Sequence, residues 1–231
     1  MKIPSKPILF SAEMVKSILA GKKTMTRRVI KPQPDCMSPG GDPVWLEIYH
    51  GKKRIKCPYG RAGHLLWVRE SWRIGAWSED GEVAIDYLAD NHARKEWLTV
   101  PETEQFEKYF IQCTDDCIKA ELETDMDGMY AWLPGEAPTR KRPSIFMPRW
   151  ASRITLKITG IRVERLNQIK NSDAKREGVN WWPEYVGVEQ NGGPKVAPNY
   201  IDPFRKLWSE INGKESWVAN PWVWVVEFEK I

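Results

Sequence analysis

Gly21-Lys-Lys-Thr-Met-Thr-Arg-Arg28 is the most informative stretch of this 231-residue chain, because it places six cationic or hydroxyl side chains directly behind a short amphipathic segment. If the stretch runs as a β-strand, successive side chains point to opposite faces. Thr26 then faces away from Lys23 and Arg27, whereas a tight turn at Gly21 or a bulge brings Lys23 beside Thr26. An amine next to a hydroxyl can act as base and nucleophile, and the nearby guanidinium groups suit an anionic or nucleobase-containing ligand.

The residues before this stretch predict a strand followed by a helix. Apolar side chains from Met14 to Leu19 recur at helical spacing behind Ser11, which is a favourable N-cap. Gly21 stands where a glycine commonly ends a helix. We therefore expect a helix of about two to three turns, with the Lys-Thr stretch as the next strand.

Two longer strands are predicted further along the chain. Residues 153–166 alternate between apolar and polar side chains, and the alternation restarts after Gly160, as a bulge at glycine would produce. Residues 222–231 form a closing strand, and short helices are expected at Ser172–Glu177 and Pro203–Ile211. Because strands and helices do not alternate regularly, the pattern favours a mixed α+β, mostly β fold. We expect a small antiparallel β-barrel with short peripheral helices rather than a parallel doubly wound sheet.

Charge is distributed unevenly along the chain. Residues 79–127 contain fifteen acidic and four basic side chains, whereas residues 137–163 contain seven Lys or Arg and no acid. Such separation is typical of a basic site beside a solvated insertion. We expect one domain over residues 1–231 with an acidic insertion at about 73–143, which has one or two strands, a short helix and little packed core. A second, irregular insertion rich in Trp, Pro and Gly is expected at about 180–200.

Composition argues against several classes of protein. No stretch approaches the roughly 20 apolar residues that cross a bilayer, and the N-terminus lacks a secretory signal. We therefore expect a cytoplasmic protein with no membrane partner. Four cysteines are too few and too scattered for a disulfide scaffold. Cys113 and Cys117 would share one helix face, but the four thiols lack the closely spaced pairs of a zinc site, so we expect neither a metal nor a cofactor.

The ordered set of segments resembles the ASCH domain, a member of the PUA-like barrel superfamily. The resemblance is carried by the Gly21–Arg28 stretch, by Gly63-His-Leu-Leu-Trp-Val-Arg-Glu70, by the strand at 153–166, by the Ala174–Gly178 helix and by the closing strand. The sequence is similar to ASCH proteins carried by phages and prophages. The resemblance implies a PUA-like barrel interrupted by the two insertions.

The resemblance also implies a chemistry. The best-defined enzymes of the family hydrolyse N4-acetylcytidine to cytidine and acetate with a Lys, Thr and Glu triad, which falls here on Lys23, Thr26 and Glu177. It implies Thr26 as nucleophile, neutral Lys23 as its base, and Glu177 as the group that orients the lysine or a water. For this role the lysine pKa must fall from about 10.4 to roughly 7–8, and the positive charges of Arg27 and Arg28 favour such a fall.

Five further side chains are expected to line the substrate site, because an indole can stack on a base and an arginine can hold a phosphate. They are Arg27, Arg28, Trp67, Arg69 and Glu70. Four candidates also have a structural interpretation. Trp67 suits a barrel core, Thr26 suits a strand, Glu177 suits a helix end, and Lys23 suits a solvated surface cation.

The expected partner is a modified nucleoside or a nucleic acid, and two alternatives to hydrolysis stay open. In the first, the same basic stretch holds RNA, DNA or a modified base without turnover. In the second, the chain is a ribonuclease, an activity that is also associated with some ASCH proteins. The three histidines have no spacing that suggests a nuclease site.

Overall fold

The computed structural model describes residues 3–39, 46–93, 96–189 and 194–231. In these residues the chain is a mixed α+β protein in which strands predominate, as predicted. Its helices are α1 (Ala12–Leu19), α2 (Thr103–Lys119), α3 (Asn171–Arg176) and α4 (Ile201–Asn212). Its strands are β1 (Ser5–Leu9), β2 (Met25–Val29), β3 (Cys36–Pro39), β4 (Leu46–His50), β5 (Lys53–Ile55), β6 (Leu65–Arg69), β7 (Trp72–Trp77), β8 (Glu82–Tyr87), β9 (His92–Ala93), β10 (Leu98–Thr99), β11 (Thr155–Arg165), β12 (Trp182–Val188), β13 (Pro194–Asn199) and β14 (Trp222–Lys230).

The strands form several sheets. The largest has five strands in the order β1-β6-β11-β14-β2. A four-stranded sheet has the order β10-β8-β7, and its fourth strand, β9, pairs with β8. Two smaller sheets have the orders β3-β4-β5 and β12-β13. In the described residues none of these sheets closes on itself, so the barrel is not confirmed and only the α+β class is established.

Contacts between Cα atoms divide the chain into two units. The first comprises Met1–Lys6, Ser17–Leu66 and Leu156–Ile231, and the second comprises Pro7–Lys16 and Trp67–Thr155. The expectation that residues 1–231 form a single domain stays a prediction.

The first unit contains the Lys-Thr stretch, and most of the helices and strands predicted for this part of the chain are confirmed. Gly21 has a left-handed φ of +70° and ends α1, because glycine adopts this region without a steric cost. Strand β2 begins only at Met25, so Lys22 to Thr24 form the connection rather than the start of the strand. The register of β11 against β14 shifts between Ile158 and Gly160, which confirms the predicted bulge.

The core of the first unit lies on one face of β2 and β14 and is covered by α3 and α4. Because β14 alternates, Val223 and Val225 point to the same side as Met25 of β2. The buried members of this core are Met25, Leu166, Ile169, Ala174, Phe204, Trp208, Val223 and Val225.

The second unit has a packed core, so the prediction of little core in residues 73–143 was wrong. Strands β7 and β8 pair, and the 17-residue helix α2 is much longer than the expected short helix. The buried cluster comprises Trp72, Ile74, Val83, Ile85, Tyr87, Val100, Cys113, Met147 and Ala151. The high charge density of this segment describes its exposed faces, whereas Val83, Ile85 and Tyr87 of β8 are part of the buried cluster.

The segment 180–200 is ordered, so the prediction of an irregular insertion was also wrong in its described part. Strands β12 and β13 form an antiparallel pair, while residues 190–193 lie outside the described ones. Prolines are tolerated here because a two-stranded ribbon has two free edges, where a missing N–H breaks no ladder hydrogen bond. In the described ranges, every helix is too short or too polar to cross a lipid bilayer.

Candidate functional site

The connection after α1 is fixed against the end of α3 by backbone and hydroxyl hydrogen bonds. The backbone N of Lys23 donates to the carbonyl O of Ser17 at 3.0 Å, and the backbone N of Thr24 donates to the carbonyl O of Arg176 at 2.9 Å. The hydroxyl of Ser17 donates to the carbonyl O of Gly178 at 2.8 Å. These bonds place Lys23 directly beside the last turn of α3.

Gly178 permits this close approach. Its φ of +83° lies in the left-handed region that favours glycine. A Cβ added at Gly178 would lie 2.5 Å from Oγ of Ser17 and 2.8 Å from Cβ of Lys23, closer than real Cβ atoms approach their neighbours. The glycine that follows Glu177 is therefore required for both its conformation and its small size.

Lys23 and Glu177 form a buried ion pair at this junction. Nζ of Lys23 donates to Oε2 of Glu177 at 2.7 Å and to the backbone carbonyl O of Glu177 at 2.9 Å. The two residues are 2% and 4% exposed. Two of the three residues that the family resemblance assigned to catalysis are thus in direct contact.

The environment of Lys23 lowers the pKa of its amine below the ordinary value of 10.5. The largest cause is burial, which penalises the charged form. The Glu177 carboxylate opposes this effect, and the positive charges of Arg28 and Arg27 add to it. An amine with a lowered pKa is closer to the neutral form that acts as a base.

Arg27 holds the second oxygen of Glu177. Its Nη1 donates to Oε1 of Glu177 at 3.1 Å, while Nε donates to Glu164 at 3.0 Å and Nη2 donates to Asp173 at 3.0 Å. Every guanidinium nitrogen therefore has a partner within the protein. Burial lowers the pKa of Arg27, but the carboxylates of Glu177 and Glu164 outweigh burial and raise it overall. In this structure Arg27 orients Glu177 rather than presenting free donors to a ligand.

Glu177 and Arg27 belong to a larger network of alternating charge. Arg162 bridges Glu164, Asp173 and Glu227, and Arg176 also pairs with Glu227. The complete network contains four cations and four carboxylates: Lys23, Arg27, Arg162, Arg176, Glu164, Asp173, Glu177 and Glu227. Its charges balance when Lys23 is protonated, and it includes two of the four cations of the Gly21–Arg28 stretch, Lys23 and Arg27.

Thr26 is buried, but it lies on the opposite face of β2 from this network. Thr26 pairs with Val226 of β14, whereas Arg27 pairs with Val225. Adjacent residues of a strand point to opposite faces. Lys23 contacts the same Glu177 carboxylate as Arg27, and Arg28 lies on the face of Thr26. Within β2 the structure therefore places Thr26 and Arg27 on opposite faces, as the strand alternation predicts.

Trp67, Arg69 and Glu70 belong to the second unit. Trp67 is 7% exposed, and the Arg69 guanidinium lies 4.7 Å from the centroid of its indole ring. The carboxylate of Glu70 is buried and accepts two hydrogen bonds of 2.9 Å from Arg153. These contacts match the core interpretation of Trp67 and give Glu70 an ion-pair partner within its own unit.

Sequence reasoning missed several members of the network. Arg162 and Glu164 lie two residues apart on β11 and so share a face, and Asp173 and Glu177 lie four residues apart at the α3 turn. These spacings signal that each pair shares a face. They do not signal that the two faces meet Arg27, because that contact depends on the sheet order.

Comparison with protein-family models, with curated proteins and with solved structures finds no match. In the part of the chain that the structure describes, no group of three or more His, Cys, Asp or Glu side chains is arranged to hold a metal ion.

Proposed function

We propose that the chain hydrolyses the exocyclic amide of an acylated nucleoside such as N4-acetylcytidine, and that its five-stranded sheet belongs to a PUA-like ASCH fold. The observation that carries the proposal is the 2.7 Å contact between Nζ of Lys23 and Oε2 of Glu177. The family resemblance assigns a catalytic role to these two residues. Their contact is buried, and its amine has a lowered pKa.

In the proposed reaction a nucleophile attacks the acetyl carbonyl carbon, the bond from that carbon to N4 breaks, and N4 gains a proton. Neutral Lys23 accepts the proton of the nucleophile, and the resulting ammonium returns a proton to the leaving nitrogen. Glu177 fixes the amine through two hydrogen bonds and stabilises the ammonium. Arg27 in turn fixes the Glu177 carboxylate. One water is consumed, and cytidine and acetate are released.

The nucleophile in this proposal is the Thr26 hydroxyl, as the resemblance implies. Attack by threonine forms an acetyl ester on the enzyme, which a water then hydrolyses. In the structure Thr26 lies on the opposite face of β2 from Arg27. Thr26 and the Lys23–Glu177 pair therefore need separate tests.

The direct test measures acetate release from N4-acetylcytidine by the unaltered protein and by Lys23→Met, Glu177→Gln and Thr26→Val. We expect Lys23→Met to reduce kcat by about 10²–10⁴-fold, the range for loss of an acid or base. Glu177→Gln weakens the contact that fixes the Lys23 amine and is expected to reduce kcat as well. Thr26→Val keeps the shape of the side chain and removes its hydroxyl, whereas Thr26→Ser keeps the hydroxyl. Full activity in Thr26→Val would assign the attack to water and leave the proton-transfer pair in place.

A nucleic-acid-binding module without turnover is less well supported by the charges in the first unit. A phosphate-binding surface needs cations that are free to replace counterions. Lys23 and Arg27 instead contact buried carboxylates. Titration of oligonucleotide binding against salt separates the two proposals. If the logarithm of the binding constant falls against the logarithm of the salt concentration with a slope near −0.7 per single-strand phosphate contact, the binding module is supported. Turnover of the free nucleoside supports the hydrolase.

A further inference from the structure

The second unit contains a cavity of about 460 Å³ that the proposed reaction does not use. It is bounded by the end of β7, one side of α2 and the segment that follows α2. Four of its lining side chains are aromatic: Trp77, Phe110, Tyr130 and Trp132. Its volume falls in the range of roughly 300–1,000 Å³ that small-molecule sites occupy.

The aromatic walls are held in place by contacts within the protein. Nε1 of Trp132 donates to the carbonyl O of Gly75 at 2.7 Å, which fixes this indole against β7. The ring centroids of Trp77 and Trp132 are 5.5 Å apart, and Phe110 meets Trp77 edge-on at 6.4 Å. Several ring faces and edges therefore surround one space before any ligand arrives.

The loop that closes the cavity is also fixed. Oδ1 of Asp125 accepts hydrogen bonds from the backbone N of Asp127 at 3.0 Å and from the backbone N of Met129 at 2.8 Å. A side-chain carboxylate that caps its own loop in this way stabilises a single turn conformation. The loop thus holds Asp127 and Met129 at the cavity wall.

The polar groups of the cavity indicate the charge of its ligand. Glu79 and Asp127 line it, and its described lining contains no Lys, Arg or His. Oγ of Ser78, also in the lining, is buried and has no hydrogen-bond partner in the described part of the chain. A cation gains from both the carboxylates and the ring faces, whereas an anion is repelled by both.

We propose that this cavity binds a small organic cation, an alkylated ammonium group with an apolar body. The ammonium lies against the rings of Trp77 and Trp132, with Glu79 and Asp127 as counter-charges and Ser78 as a hydrogen-bonding group. Alkylated ammonium is favoured over a bare metal ion, because indole and phenyl faces provide cation–π attraction but no metal-ligand atoms. The proposal does not depend on the amide hydrolysis.

Isothermal titration calorimetry with choline and with its neutral carbon isostere 3,3-dimethyl-1-butanol tests the role of charge. We expect choline to bind with one site per chain and the neutral alcohol to bind about tenfold more weakly or not at all, as a cation–π contribution predicts. Benzyltrimethylammonium, which adds an apolar ring, is expected to bind more tightly than choline. Equal affinity for choline and the alcohol, or no binding of either ammonium probe, overturns the proposal.

Variants locate the site. Trp132→Leu, and separately Glu79→Gln combined with Asp127→Asn, are expected to weaken benzyltrimethylammonium binding about fivefold or more. The matched control is Glu104→Gln, because Glu104 is exposed in the first turn of α2 and does not line the cavity. Trp132→Phe, which retains a ring, serves as a second variant, and circular dichroism checks that each variant folds. Unchanged affinity in both the indole variant and the carboxylate variant contradicts this location.

Discussion

The amine of Lys23 lies 2.7 Å from the carboxylate of Glu177, although 154 residues separate them along the chain. Both side chains are almost completely buried. A buried ion pair costs desolvation energy that its own attraction offsets only with good geometry and further hydrogen bonds. Arg27 supplies one of those bonds through Oε1 of Glu177.

Glu177→Gln keeps the shape of the side chain but leaves the buried Lys23 ammonium and the Arg27 guanidinium without one counter-charge. We expect it to lower the free energy of unfolding by about 3–5 kcal/mol, the range for a broken buried pair. Urea unfolding followed by circular dichroism measures the loss. The control is Glu229→Gln, whose half-exposed pair with Lys157 is expected to contribute below about 1 kcal/mol. Equal losses in both variants would contradict the importance of the buried pair.

Lys23→Met combined with Glu177→Gln removes one buried cation and one buried anion together. The double variant is therefore expected to be less destabilised than the sum of its two single variants, by about 1–3 kcal/mol of coupling for groups in contact. The same urea experiment on all four proteins gives the coupling energy. Additive losses would show that the two groups do not interact in solution.

The pH dependence of acetate release is expected to follow the Lys23 amine. Burial lowers its pKa below 10.5, so the neutral base form appears at a lower pH than for an exposed lysine. The rate kcat/KM should therefore rise with pH through this lowered pKa, and Lys23→Met should abolish the rise. Arg28→Gln removes a charge that lowers the same pKa, so the rising limb should move to higher pH. A pH-independent rate, or an unmoved limb, contradicts the role of Lys23 as base.

The free energy of unfolding should also depend on pH through the Lys23 amine, and its direction can be stated. Between the lowered folded-state pKa and 10.5, the unfolded chain binds more protons at Lys23 than the folded chain does. The free energy of unfolding contributed by this group therefore rises as pH rises through that window. Denaturation at several pH values, compared with Lys23→Met, isolates the contribution. If the free energy of unfolding of the unaltered protein falls relative to that of Lys23→Met as pH rises, the predicted direction is wrong.

Gly178→Ala tests the close approach beside Glu177. The added methyl group would meet Ser17 and Lys23 at 2.5 and 2.8 Å, on a backbone with a φ of +83°. We expect a loss of more than about 2 kcal/mol, beyond the roughly 1–2 kcal/mol that a left-handed φ alone costs. Gly51→Ala is the matched control, because Gly51 has a φ of +58° and an added Cβ would meet no described atom within 4 Å. Similar losses of unfolding free energy in the two variants would show that the contacts of the added methyl group with Ser17 and Lys23 have no effect of their own.

The thiols of Cys113 and Cys117 are expected to be unreactive in the folded protein. Both are buried, and burial raises the pKa of Cys113 to about 12, so the reactive thiolate is scarce near neutral pH. Titration with a thiol reagent at pH 8, with and without denaturant, measures their accessibility. Rapid modification of both cysteines in the folded state would contradict the buried placement.

The sequence by itself determined the local elements that rest on short-range chemistry. The helix that ends at Gly21, the alternation of residues 153–166 with its bulge at Gly160, and the closing strand all follow from spacing within a few residues. Backbone conformation and one-sided burial set these patterns, and both leave a local signature. The family resemblance also points to Lys23 and Glu177, whose side chains are in contact.

The network around Lys23 and Glu177 was decided only by the tertiary structure. Val225 of β14 pairs with Arg162 on one side and with Arg27 on the other, which places both arginines on one face. Val226 likewise pairs with Ile161 and Thr26 on the opposite face. No local pattern encodes this register, because it depends on which strands become neighbours and a one-residue slip would reverse every face. That is the physical reason why the sequence identifies Lys23, Thr26 and Glu177, whereas the contacts of Arg27 with Glu164 and Asp173 are decided by the tertiary structure.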